Sequence, residues 1–294
     1  MKKFRASRRH KKTIQQYLFY DNYKSNNSTI TISSEKAEAS DIDELLEVVS
    51  KSSHTSAAHA IVIGCGDATL EIEAAKYIKT IRHITLIDQS KSMLAIASIN
   101  CRNAQLPNTT LKGDFFSSRI IKKIQQISRH QSAIIFLIGG TFSNYPTKKM
   151  IAFLKKILIN QTTLILDYGA ILNNGTNNKK KLLNKQIPSN CLAFYERGLS
   201  QTGLTPNKYK TNIKISTIKK QNHLARLFIS KRIQKKPKDA PQNLRLYTIN
   251  YYTPSILEEK LAKSKIKVVF SNEESKKAVS EYGRYFCIMN RRTN

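Results

Sequence analysis

A chain of 294 residues can bury a full core as one large domain, or as one domain with an elaboration. It has no run of about 18 apolar residues, which excludes a membrane-spanning helix. Its four cysteines (Cys65, Cys101, Cys191, Cys287) are scattered without a CxxC, so neither a zinc site nor a disulfide frame is read and a reducing cytoplasm is expected. Fifty Lys+Arg against twenty Asp+Glu give a formal charge of +30, which has two readings. Either a polyanion such as RNA is a partner, or a Lys-, Asn- and Ile-rich composition has inflated the charge without one.

The first element, MKKFRASRRHKK, is a basic arm with no acid before Asp21, and it lacks the apolar centre of a secretory signal. A Ser/Asn-rich stretch follows. Ser40 then offers a cap for a helix over Asp41–Val49, whose Ile42, Leu45, Leu46 and Val49 recur at helical spacing. From Ala60 short apolar runs alternate with amphipathic ones. Strands are predicted over Ala60–Gly64, His83–Asp88, Thr109–Lys112, Ala133–Ile138 and Thr162–Leu166. Helices are predicted between them, over Ala68–Ile78, Lys91–Cys101, Ser118–Ser128 and Lys148–Leu158. Continuous β-branched strands at this spacing predict an α/β fold, a parallel sheet with helices on both faces.

The rhythm breaks after Asp167. A polar stretch to about residue 207 carries a turn at Asn173–Gly175, and a hairpin is predicted from Lys208–Ile218 and His223–Ile233, with a third strand at Leu244–Tyr251. Eleven Lys/Arg between Lys208 and Lys238 meet one nearby acid, Asp239; they form either a phosphate-binding sheet face or a solvated hairpin. A helix over Pro254–Ala262 leads to strands Ile266–Ser271 and Arg284–Asn290, which lack room for a crossover and are expected to pair antiparallel.

The chemistry concentrates at three strand ends. AIVIGCGDATLEIEAAK places Gly64 and Gly66 at a strand-to-helix turn, where a backbone can approach a ligand closely. A dinucleotide site would want a third glycine where Thr69 stands, and Asp67 is a poor neighbour for a pyrophosphate but a good one for a sulfonium. Asp67 capping the helix is the plainer alternative. Asp88 ends the second strand, about twenty residues on, where an acid accepts from ribose hydroxyls. Asp114 in LKGDFF can accept from an adenine amino group, with Phe115 over the ring, or can simply cap the next helix.

These motifs, IVIGCGDA, LIDQSKSML and LKGDFF, resemble those of class I S-adenosylmethionine-dependent methyltransferases. The resemblance implies a Rossmann-like seven-stranded sheet, parallel with a terminal antiparallel strand, and S-adenosyl-L-methionine as cofactor. Gly64, Gly66, Asp67, Asp88, Gln89, Asp114, Phe115 and Gly139 would hold it. The fourth strand runs into GGTFSNYP, which lacks the Asn/Asp-Pro-Pro-Tyr/Phe motif of nucleobase enzymes. It is similar instead to a loop of the histidine-specific N-methyltransferases of the ergothioneine pathway. That similarity implies an amine substrate contacted by Asn144, with Tyr145 beside it and Tyr20 in the basic arm as a further match. An Asx turn for Asn144, and ordinary packing for Tyr20, are the plainer alternatives. At that family's Glu-x-Ser position, LYTINYYTPS has Ile249 and Tyr251. The implied organisation is a basic arm and linker over 1–39, the cofactor-binding domain over 40–169 and 253–294, and an inserted substrate-binding α+β subdomain over 170–252. The expected partner is a small-molecule amine, with RNA methylation as the alternative and no membrane association.

Overall fold

The computed structural model describes residues 39–51, 57–130, 132–159, 162–171, 211–217, 224–233, 242–272 and 282–291. The basic arm with Tyr20, the Asn173–Gly175 turn and Cys191 lie outside the described residues. In chain order the elements are α1 (Ala39–Ser50), β1 (His59–Ile63), α2 (Thr69–Tyr77), β2 (His83–Asp88), α3 (Lys91–Asn103), β3 (Asn108–Lys112), α4 (Ser118–His130) and β4 (Ala133–Leu137). A single 3-10 turn (Phe142–Asn144) precedes α5 (Thr147–Ile157) and β5 (Thr163–Ile171). Then come β6 (Thr211–Thr217), β7 (Leu224–Ile233), β8 (Gln242–Tyr252), α6 (Pro254–Ala262), β9 (Ile266–Ser271) and β10 (Tyr282–Arg291). Among these helices none is long and apolar enough to cross a membrane.

Strands β1 to β5 are parallel in the order β3-β2-β1-β4-β5, and β10 lies antiparallel on the far side of β5 with β9 outside it. The expected antiparallel pairing of the last two strands is therefore present. Side chains alternate across the sheet: Ile135 and Leu137 of β4 enter one core, Ile134 and Phe136 the other. Helices α4, α5 and α6 cover the first core, and α1, α2 and α3 the second. In α4 the buried Ile120, Ile121 and Ile124 make one stripe, and the lysines between them face water. Ser90 caps α3, its Oγ accepting from Met93 N at 3.2 Å.

Two expectations need correction. Helix α1 begins at Ala39, so Ser40 lies inside it and does not precede it. Strand β5 continues to Ile171, well past Leu166. An acid such as Asp167 is uncommon in strands, but here its carboxylate is buried and both its oxygens share the Gly140 N–H, so the strand tolerates it. The extra length matters because Gly169 and Ala170 pair in parallel with Tyr251 and Tyr252 of β8. Strand β8 thus occupies the edge of β5 beyond the point where β4 has ended. It carries with it the antiparallel meander β6–β7–β8, the three strands expected in the insertion.

Candidate functional site

The C-terminal ends of β1, β2 and β3 are tied by direct hydrogen bonds. Gly64 N and Cys65 N both donate to Ile87 O, at 2.8 and 3.2 Å. Gly66 N donates to Asp88 Oδ2 at 3.4 Å, and Ser90 N donates to Asp88 Oδ1 at 2.8 Å. The main-chain oxygen of Asp88 accepts from Gly113 N at 2.9 Å, which draws the third strand end in beside it. Asp88 is therefore the knot of the turn, and Gln89 sits half-buried next to it.

The two glycines have different jobs. Gly64 has φ +67, and a Cβ there would lie 2.8 Å from Thr141 Oγ1. Its close approach on the Cβ side is to Thr141 in the loop after β4. Gly66 has φ +50 and open space where a Cβ would be, so it is the glycine free to meet a bound molecule. Asp67 takes the plainer role: its Oδ1 accepts from Thr69 N at 3.2 Å, serving the start of α2, where Ala68 (φ +60) has no side chain to cap with. Asn100 Nδ2 donates to Asp67 O at 2.9 Å and holds the turn in place.

Asp114 is exposed, and its Oδ1 accepts from Phe116 N at 2.9 Å. Phe115 does not face outward to cover a ring; it is 3% exposed and packs 5.1 Å from Phe153 in the core. The half-buried neighbour is Phe116, with Lys149 Nζ 3.5 Å from its ring centroid. Tyr145 stands edge-on to both rings, at 5.4 and 4.9 Å. Burial pushes its phenol up to about 12, and the charges of Asp114 and Asp88 push it the same way. Tyr145 therefore stays a neutral O–H through the neutral range. The Cys65 thiol is held well above its ordinary value by burial first, then by Asp88, Glu71 and Cys101, so it stays protonated and is no nucleophile.

The opposite wall is the segment from Gly139 to Tyr145. Gly139 and Gly140 have φ +79 and +73 and turn the chain sharply as it leaves β4. Gly140 N donates to both carboxylate oxygens of Asp167, at 2.9 and 3.0 Å. Gly169 N donates to Ser143 Oγ at 3.0 Å, and the fully buried Phe142 packs 5.5 Å from Tyr252. The nearly fully buried Asn250 of β8 donates through Nδ2 to Ser143 O at 2.7 Å and to Tyr145 O at 2.8 Å. Tyr251 closes over Gly169, where a Cβ would lie 2.7 Å from its ring.

Asn144 follows this scaffold, and its Oδ1 is buried with no hydrogen-bond donor among the described residues. The Asx turn is therefore not what the structure contains. A desolvated acceptor without a donor costs about 1–3 kcal/mol, and Ser128, Thr163 and Asn290 carry buried side-chain oxygens of the same kind, so Asn144 is one of four such sites among the described residues. Asp167, Ser143, Gly169 and Asn250 were missed from sequence. The only signal for Asn250 was its place between Ile249 and Tyr251, the two positions singled out by the family comparison.

Several solved structures resemble this one. The PH0226 protein from Pyrococcus horikoshii OT3 superposes with a TM-score of 0.51 at 12% identity, over 89% of this chain and 94% of its own. The fold is the Rossmann-like methyltransferase fold. A S-adenosylmethionine-dependent methyltransferase from Clostridium acetobutylicum ATCC 824 gives 0.49 at 12% identity, over 86% of this chain and 93% of its own. The glycopeptide N-methyltransferase MtfA, complexed with sinefungin, gives 0.45 at 13% identity over 93% and 91%. No protein-family model matches the chain. No curated protein matches it either. The finer resemblance to the histidine-specific enzymes finds no support among these neighbours.

Proposed function

We propose that the chain is an S-adenosylmethionine-dependent methyltransferase acting on the nitrogen of a small amine. The observation that carries this reading is the Asp88 knot, which brings Gly66, Asp88 and Gly113 together at adjoining strand ends of a methyltransferase fold. When bound, the cofactor supplies an electrophilic methyl group on a sulfonium. The residues present fit it. The Gly66 and Ser90 amides hold the Asp88 carboxylate at the strand end, at 3.4 and 2.8 Å, where it would accept from ribose hydroxyls. Gly66 leaves room for a ligand against the backbone, the exposed Asp114 would accept from the adenine amino group, and Gln89 and Gly139 would complete the set that holds it.

On the acceptor side, Asn144 Oδ1 accepts an N–H of the substrate amine and so fixes the direction of the nitrogen lone pair. Tyr145 remains protonated through the neutral range and acts as a donor, not as a base. The segment 170–252 serves as the substrate-side element, acting on the site through Asn250. RNA as methyl acceptor is not favoured, since Phe115, Phe116 and Tyr145 pack on one another and Lys149 covers Phe116. A reducing cytoplasm suits Cys65, Cys101 and Cys287, which are buried free thiols.

The test is incubation of the protein with methyl-labelled S-adenosylmethionine and a cell extract split into small-molecule, RNA and protein fractions. Label is expected in the small-molecule fraction. Label confined to RNA or protein contradicts the amine assignment, and no transfer at all contradicts the enzyme.

A further inference from the structure

The two helical layers differ sharply in charge. Helices α1, α2 and α3 together hold six acids and three Lys/Arg. Helices α4, α5 and α6 hold nine Lys/Arg and two acids, and the sequences of α4 (SRIIKKIQQISRH) and α5 (TKKMIAFLKKI) contain no acid. A composition inflated uniformly in lysine would load both layers alike, so the asymmetry needs a local cause. In α5, Lys148 and Lys155 are two turns apart on one side of the helix, about 10 Å by helical rise, and both are exposed.

This basic layer ends in a concavity of about 320 Å³. Lys155, Lys263, Lys265 and Arg291 line it with Ser264, and the buried Leu158 and Ile266 complete the lining. Lys263 is paired with Glu259, so one cation of the set is partly neutralised. Lys265 holds φ +58 just after α6, a left-handed position where glycine is usual, so a cation is kept where backbone geometry favours none. Ile266 opens β9 and Arg291 closes the antiparallel β10, which puts the concavity at the N-terminal ends of the parallel strands. The adenosyl crevice is at the opposite ends.

We propose that the α4–α5–α6 layer and this concavity form a docking surface for the phosphodiester backbone of single-stranded RNA. The RNA is held here as a partner and not as the methyl acceptor. An extended face of one sign suits a chain of phosphates better than a single anion. The exposed large apolar side chains among the described residues, Tyr77, Ile99 and Val269, lie on α2, α3 and β9, so this layer offers nothing to insert into a bilayer. It equally lacks the apolar centre of a protein–protein interface, whereas nucleic-acid interfaces are polar and positive. Among the described residues the cations of this layer meet aromatic rings only where Lys149 lies over Phe116 and near Tyr145, so binding reads mainly backbone, with little sequence preference.

Fluorescence anisotropy of the full chain with a labelled RNA of about 16 nucleotides tests this. The titration runs from about 50 to 200 mM salt, with inorganic phosphate, poly-glutamate and phosphatidylserine vesicles as competing arms. The variant Lys155→Gln/Lys156→Gln/Arg291→Gln should weaken RNA binding tenfold or more and flatten the slope of log K against log salt by about 2, since each single-strand phosphate contact contributes roughly 0.7. A second variant, Lys122→Gln/Lys123→Gln, should lower affinity and slope by a smaller amount. The control Lys76→Gln/Lys91→Gln on the opposite layer should bind like the wild type, and all three should melt like it. The proposal is overturned if both basic-layer variants bind RNA as the wild type does, which would move binding elsewhere on the chain. It is also overturned if the control loses affinity equally, or if only phosphate, poly-glutamate or vesicles bind. None of these outcomes bears on methyl transfer, which is measured separately.

Discussion

The proposed donor and acceptor walls are assembled by opposite means. On the donor wall, contacts join consecutive strand ends: Gly66 reaches Asp88 across 22 residues, and Asp88 reaches Gly113 through its own main chain. On the acceptor wall, the decisive contacts are distant in sequence, with Asn250 bonding Ser143 and Tyr145 across 107 and 105 residues. The donor wall is thus complete once the parallel sheet forms, whereas the acceptor wall needs the inserted meander to come back onto β5. On the proposed reading, an enzyme built this way can vary its substrate by varying the insertion and leave its cofactor seat alone. It follows that lesions on the two walls should separate cofactor affinity from turnover.

The largest separation is expected from Asp88→Ala. It removes a carboxylate that accepts from two amides and would accept from ribose, a loss of about 3 kcal/mol or roughly 100-fold in S-adenosylmethionine affinity. Calorimetry should show this in a protein that still melts cooperatively; unchanged affinity removes the ribose assignment.

Asn250→Leu probes the other wall. It leaves the carbonyls of Ser143 and Tyr145 without this donor inside the protein, destabilising the fold by about 2–3 kcal/mol in urea unfolding. Turnover should fall about tenfold while the cofactor Kd moves by less than about threefold. Equal losses in both would mean that the walls are not independent.

Tyr145 offers a pH test of the same boundary. Its folded-state value of about 12 lies above the unfolded value of about 10, so ionisation favours the unfolded chain. Its neutral form stabilises the fold fully below about pH 10, and that stability is lost as pH rises toward 12, by about 2 kcal/mol. Tyr145→Phe should make the stability–pH curve measurably flatter between pH 10 and 12 and leave it unchanged at pH 7; an identical curve would show that the phenol is not shielded by burial and the two carboxylates.

The smallest effect, and the sharpest in kind, belongs to Asn144→Ala. The substitution breaks no hydrogen bond of Oδ1 among the described residues, so Tm should hold or rise, while turnover falls about tenfold, near 1.4 kcal/mol. Wild-type turnover would return Asn144 to a packing role.

The same division governs what could be read from sequence. Strands β1 to β4 and the glycine and acid positions of the donor wall announced themselves, because each is a local pattern of apolar run, turn and polar residue at a strand end. Even there, single residues misled. Gly64 packs on Thr141 and Phe115 packs on Phe153, and a glycine or phenylalanine looks the same in sequence whether its neighbour is ligand or protein. The acceptor wall was largely illegible beyond Asn144 and Tyr145. Asp167 read as the end of a strand because an acid is rare inside one, and nothing in the sequence showed that the Gly140 amide would satisfy it. Asn250 gains meaning only from the pairing of β8 with β5 at Gly169 and Ala170, a long-range register that propensity does not encode.

The most direct measurement is a calorimetric titration of S-adenosylmethionine into the unaltered protein, with S-adenosylhomocysteine as competitor. If adenosyl recognition by Gly66, Asp88 and Asp114 is what this fold provides, one ligand binds per chain and the competitor displaces it. A folded protein that takes up neither molecule would contradict the assignment at its root, whatever else the crevice holds.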